Sequence, residues 1–152
     1  MKLSTNFSVA ELSKSEAATR QGLDNTPSME VIDSLQALVD NVLQPLRDKF
    51  GPIIVTSGYR SPAVNKAIGG STTSDHCKGQ AADIEVLNMD NKALAEYIRD
   101  NMKFTQLILE FYRKGVADSG WVHISYDPKS LKNQVLTAVK VDGKTVYHNG
   151  IQ

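Results

Sequence analysis

Apolar residues recur at two spacings along this chain, and the change from one to the other divides it in two. Val31, Ile32, Leu35, Leu38, Val39, Val42, Leu43 and Leu46 follow the helical period and define one buried stripe, with Ser28 placed as the N-cap. Pro45 near the end of that stripe predicts a kink or a boundary, and Gly51-Pro52 stops the chain. Upstream, Ser8-Val9-Ala10-Glu11 has the spacing of a capping box, with Phe7 placed as a hydrophobic staple and Leu12 following, so a short helix starts at Ser8. Gly22, Asp24-Asn25 and Pro27 predict a loop over 19–27.

Beyond Gly51 the pattern shortens. Ile53-Ile54-Val55-Thr56 is a run of β-branched residues that predicts a strand. Ser61-Pro62 suits the N-cap and first turn of a short helix reaching about Ala67. A Gly- and Ser/Thr-rich approach at 69–73 leads to a strand over 81–86. A helix starts near Asp90, with Leu94, Tyr97, Ile98 and Met102 on its core side. Strands are predicted over 106–112 and 121–126, joined by the segment 113–120. Asp142-Gly143 between two alternating segments, 137–141 and 144–147, is a two-residue hairpin signal. The sum is an α+β chain: N-terminal helices packed on a mainly antiparallel sheet, in one domain spanning 1–152.

Composition narrows the function classes. Seventeen Lys and Arg balance 17 Asp and Glu. That balance lends no support to nucleic-acid or membrane-surface binding. No apolar stretch approaches the ~20 residues of a membrane span. A single cysteine, Cys77, excludes an internal disulfide and reads as a small buried thiol. The first eight residues lack the apolar run of a signal peptide. A monomer made in a cytoplasm is the expectation.

The chemistry gathers in Ser74-Asp75-His76-Cys77-Lys78-Gly79-Gln80-Ala81-Ala82-Asp83 and in Trp121-Val122-His123. Two imidazoles and a carboxylate, His76, Asp83 and His123, match the three-ligand set of a hydrolytic zinc ion, whose open position holds a water of lowered pKa. Each residue alone also fits a blander reading, a solvated loop histidine or a strand-end aspartate. A histidine among Trp121, Val122 and Ile124, though, needs a polar partner if buried. Glu85 shares a strand face with Asp83 by alternation and is a further candidate near the metal, whereas His148 reads as a surface residue.

Hydrolysis also needs a general base. Pairing Tyr112 with Trp121 across an antiparallel ladder would set Glu110 opposite His123, on the same face. Glu110 is otherwise an outward carboxylate on a half-solvated strand, and Asp118 in the connecting segment is its rival. Arg60, in the loop after the first strand, suits a clamp on a substrate carboxylate or an oxyanion, or else a surface arginine.

At these residues the chain resembles the zinc D-Ala-D-Ala carboxypeptidases and dipeptidases, a group that includes L-alanyl-D-glutamate endopeptidases of phage lysis systems and shares a metal site with hedgehog signalling domains. Ser74-x-His76-x-x-Gly79-x-Ala81-x-Asp83 carries the resemblance, with Trp121-Val122-His123 and Ser57-Gly58-Tyr59-Arg60-Ser61. Softer similarity runs through Phe7-Ser8-x-x-Glu11-Leu12, Leu43-x-Pro45-Leu46-Arg47 and Gln106-Leu107-Ile108-x-Glu110. The resemblance implies one zinc ion on His76, Asp83 and His123. It also implies a catalytic Arg60 and a peptidoglycan stem peptide as substrate, cut at a bond involving D-amino acids. Arg60, Ser74, Gln106 and Trp121 are the candidate substrate contacts. Action would then be on a bacterial wall, in phage lysis through a holin-like route or from a virion. Better-known members carry an acidic residue three positions before the last histidine, where this chain has Gly120. Glu110 is the replacement expected. Without it, the alternative is a non-catalytic zinc module that binds wall peptide.

Overall fold

Six strands form one sheet in the order β1-β2-β4-β3-β5-β6, and the helices lie against it. The computed structural model describes residues 1–152. The strands are β1 (Ile53–Ser57), β2 (Ala81–Val86), β3 (Gln106–Glu110), β4 (Trp121–Ser125), β5 (Gln134–Val141) and β6 (Lys144–Asn149). All neighbours run antiparallel except β3 and β5, which are parallel. The α+β expectation holds, with that one parallel pair added. No helix is long and apolar enough to cross a membrane.

The helices are α1 (Val9–Leu12), α2 (Glu16–Gln21), α3 (Met29–Leu38), α4 (Gln44–Phe50), α5 (Pro62–Ala67) and α6 (Asn91–Asn101). Four of their starts are those the sequence marks. Ser8, Ser28, Ser61 and Asp90 each accept a backbone N–H as N-cap. α2 corrects the expected loop over 19–27: Ser15 caps it, it continues to Gln21, and the loop begins only at Gly22. Pro45 falls in the first turn of α4, at the boundary expected of it. A π-helical turn over Val39–Leu43 joins α3 to α4, and the N–H of Gln44 reaches back to the carbonyl of Val39. The wider turn absorbs the donor that Pro45 lacks, so the helical path runs on from Met29 to Phe50.

Strand alternation divides the sheet into two faces. Ala82, Ile84 and Val86 of β2, Leu107 and Leu109 of β3, and Val122 and Ile124 of β4 join Leu35, Leu38, Val39, Val42, Leu43 and Leu46 in one buried cluster. Burying a leucine or isoleucine side chain is worth about 1.5–3 kcal/mol, so this face carries most of the stability. The alternate residues of the same strands, including Asp83, Glu110 and His123, face the other way.

At the C-terminal hairpin Asp142 and Gly143 both take positive φ, 52° and 77°. That is the type I′ turn expected of Asp-Gly. The strands it joins are longer than predicted on their outer ends, at Gln134 and Asn149.

Candidate metal centre

Three elements bring the candidate ligands together. Asp83 on β2 pairs directly with His123 on β4. His76 comes from a 3-10 turn over Asp75–Lys78, which Ser74 caps by accepting the N–H of His76. The turn packs beneath the loop after β1. There the Nδ1–H of His76 donates to the carbonyl of Gly58 at 2.7 Å, which turns Nε2 toward Asp83. Gly58 must be glycine, because a Cβ there would run into the carbonyl oxygen of Leu12.

Asp83 Oδ1 lies 3.3 Å from His76 Nε2 and 3.0 Å from His123 Nδ1, and the ligand atoms of all three residues fall within 4.8 Å of one another. Ligands about 2.0–2.1 Å from a tetrahedral ion stand about 3.3 Å apart, so the two contacts of Asp83 have the length such a site requires. His76 is buried, and its carbonyl partner is the kind of outer hydrogen bond that fixes the tautomer of a metal-binding imidazole. The donor set and its spacing fit zinc. Burial by itself would raise the pKa of Asp83, but hydrogen bonds from His123 and His76, with their charge, hold it well below the usual carboxylate range. Burial pulls His123 down, yet Asp83, Glu110 and Asp75 together raise it above an ordinary imidazole.

Glu110 lines the same cleft, of ≈ 420 Å³, as the three ligands. Its register differs from expectation. Glu110 pairs with Trp121, and Ile108 is the partner of His123. The ladder is offset by two residues because β3 ends at Glu110, and Phe111 leaves it with φ at 57°. An offset of two preserves the face, so Glu110 still points into the cleft. Its Oε2 accepts the indole N–H of Trp121 at 2.7 Å. Burial raises its pKa, and the charge of Asp83 raises it further. His123, the indole and Arg60 pull it back only in part.

Gly120 explains why no acid occupies its position. It holds φ at 62°, and a Cβ would collide with the carbonyl oxygen of Glu110 and press on Phe111 and Tyr112. Asp118 is exposed, and Glu85 accepts from Asn91 at 3.1 Å; both line a neighbouring cavity instead of the metal cleft. His148 is exposed, as expected, while Cys77 is only half-buried.

Arg60 reaches the cleft from the loop after β1, with its Nη2 3.4 Å from Ser74 Oγ. Asn25 brackets it: its side chain donates to the carbonyl of Tyr59 and accepts the N–H of Ser61, while the N–H of Arg60 itself donates to the carbonyl of His76. Nothing local marks Asn25, which lies 36 residues from Ser61 and reads as a turn residue. Gln106 and Trp121 line the strand side of the cleft, and Tyr147 of β6, which no motif signals, lines it too.

The family profile described as Peptidase M15 matches residues 5–125. The chain belongs to this peptidase family. It is also similar to a zinc D-Ala-D-Ala carboxypeptidase of Streptomyces albus G, 38% identical over 68 residues. That alignment covers 43% of this chain and 26% of the relative, so the chain spans about a quarter of the length of the curated relative it matches. The family and this relative support a zinc peptidase, and the cluster of His76, Asp83 and His123 fits a zinc site.

Proposed function

We propose that this zinc peptidase hydrolyses peptidoglycan stem peptides at a bond involving a D-amino acid, with Glu110 as general base. The observation that carries the reading is Glu110 itself. A carboxylate of raised pKa stands in the cleft of the three ligands, held by one oxygen to Trp121. A non-catalytic zinc module has no use for it. The similarity to a D-Ala-D-Ala carboxypeptidase supports the substrate class.

His76, Asp83 and His123 would hold the zinc ion. When bound, zinc supplies a Lewis acid that polarises a carbonyl and lowers the pKa of water. With Oε2 anchored by the indole, Glu110 accepts the proton of the attacking water at Oε1 and returns it to the leaving amine. Its raised pKa helps the second transfer, since a more basic carboxylate holds the proton until the amine departs. The guanidinium of Arg60, steadied by Ser74, donates to the oxygen on which charge develops. Gln106 and Trp121 contact the peptide along the strands, and Ser74 contacts it from the loop.

Digestion of purified sacculi with zinc-loaded protein, followed by mass spectrometry, tests this. Release of D-Ala identifies a carboxypeptidase. Cleavage between L-Ala and D-Glu identifies an endopeptidase and suits wall degradation of the endolysin kind. No product from sacculi or from a synthetic stem pentapeptide would overturn the reading.

A further inference from the structure

The family match ends at residue 125, but the cleft does not. β5 adds to β3 and β6 adds to β5, which sets Glu110, Ala138 and Tyr147 in one row across three strands. Two strand spacings, about 9.5 Å, separate Glu110 from Tyr147 along that row. Ala138 between them is fully buried and carries only a methyl group. Tyr147 lines the same cleft as the ligands and Arg60, with 54% of its surface exposed.

That exposure is unusual for its surroundings. Lys144, Thr145, His148 and Asn149 on the same strand are polar and exposed, as an edge strand should be. Most of the cleft lining is polar, with Arg60, Ser71, Thr73, Ser74 and Asp75 on the loop side and Asp83, Gln106, Glu110 and His123 on the strands. Ile108, Trp121 and Tyr147 are its apolar part. Backbone carbonyls and carboxylates suit the loop side. The apolar part suits a small alkyl side chain, which gains from an aromatic face and asks for no hydrogen bond.

We propose that Tyr147 is a substrate-positioning residue, its ring packing against the methyl group of an alanine in the bound stem peptide. The proposal rests on the stem-peptide reading above and adds the C-terminal hairpin to the specificity machinery. The ring, and not the hydroxyl, makes the contact.

The test compares zinc-loaded wild type, Tyr147→Ala and Tyr147→Phe on a synthetic stem pentapeptide and on analogues with each alanine in turn replaced by glycine. Tyr147→Ala should raise KM about tenfold and leave kcat within about threefold, the signature of lost ground-state contact. Tyr147→Phe should stay within about twofold of wild type. The decisive readout is the glycine series. One analogue should raise the KM of wild type, and Tyr147→Ala should add nothing further on that analogue. Melting temperatures should coincide, because Tyr147 is half exposed. Equal KM values for wild type and Tyr147→Ala, or a loss that is the same on every analogue, would overturn this proposal and leave the peptidase reading standing. A wild type that neither cleaves nor binds the pentapeptide would overturn both.

Discussion

The two faces of the sheet are built from the same strands and do opposite work. On the helix side Leu107, Leu109, Val122, Ile124, Ala82 and Ile84 are all buried without polar atoms to satisfy. One residue away along each strand, Glu110, His123 and Asp83 present charge to an open cleft. Alternation lets a rigid core stand directly behind the chemistry. The positions of Asp83 and His123 are set by ladder hydrogen bonds and by packing they take no part in. Stability and activity are therefore expected to separate residue by residue along β3.

Glu110→Gln gives the largest expected effect. Turnover of a stem peptide by zinc-loaded protein should fall about 10³-fold or more. Bound zinc and melting temperature should stay near the wild-type values, since the amide can still accept the indole N–H of Trp121. A parallel loss of zinc would show that Glu110 supports the site and does not act in the reaction. Leu109→Ala, the preceding residue, should do the reverse. Leu109 is fully buried, so its truncation should cost about 2–5 kcal/mol in denaturant unfolding. The kcat of the protein that remains folded should change little.

Gly120→Ala breaks the separation. An alanine at positive φ costs about 1–3 kcal/mol, and here its Cβ also meets the carbonyl of Glu110. Relief requires the end of β3 to move, which takes the base with it. Stability and kcat should therefore fall together, as urea unfolding and peptide turnover would show. An acidic residue at 120, introduced into Glu110→Gln, should not restore turnover. Activity regained in that double variant would mean the site accepts the acid from the other strand after all.

How much of this was legible in the sequence depends on the range of the signal. Caps and the Asp-Gly hairpin are local patterns, and the structure keeps them; it also gathers the three candidate ligands within 4.8 Å of one another. The face of Glu110 was legible because parity needs only the strand. Its partner was not, because register depends on where β3 ends, and Phe111 ends it with a left-handed residue that no pattern marks. Asn25 and Tyr147 act across 36 residues and across two strands, so only the folded chain brings them to the site. The π turn was hidden for another reason. Pro45 reads as a breaker, and only the backbone shows where its missing donor was absorbed.

The smallest expected effect concerns His123 in the metal-free protein. Burial, the largest single influence, depresses its pKa, and the raised value depends on Asp83. Because the folded pKa lies above that of an unfolded imidazole, about 6.5, the stability it lends is complete below that pH and fades as pH rises through the folded value. The metal-free protein should thus lose a little melting temperature on the alkaline side, and ring-carbon NMR should place the titration of His123 above that of an unfolded imidazole. Asp83→Asn removes the charge and leaves an amide oxygen that can still accept the hydrogen bond. Burial then faces a neutral partner and the charges of Glu110 and Asp75, so the pKa should drop and the alkaline loss should shrink. Zinc should abolish the titration in wild type, since a ligating ring nitrogen cannot take up the proton. An unshifted His123 in Asp83→Asn would break the link between the faces' geometry and their charge: the 3.0 Å contact would then be proximity without coupling.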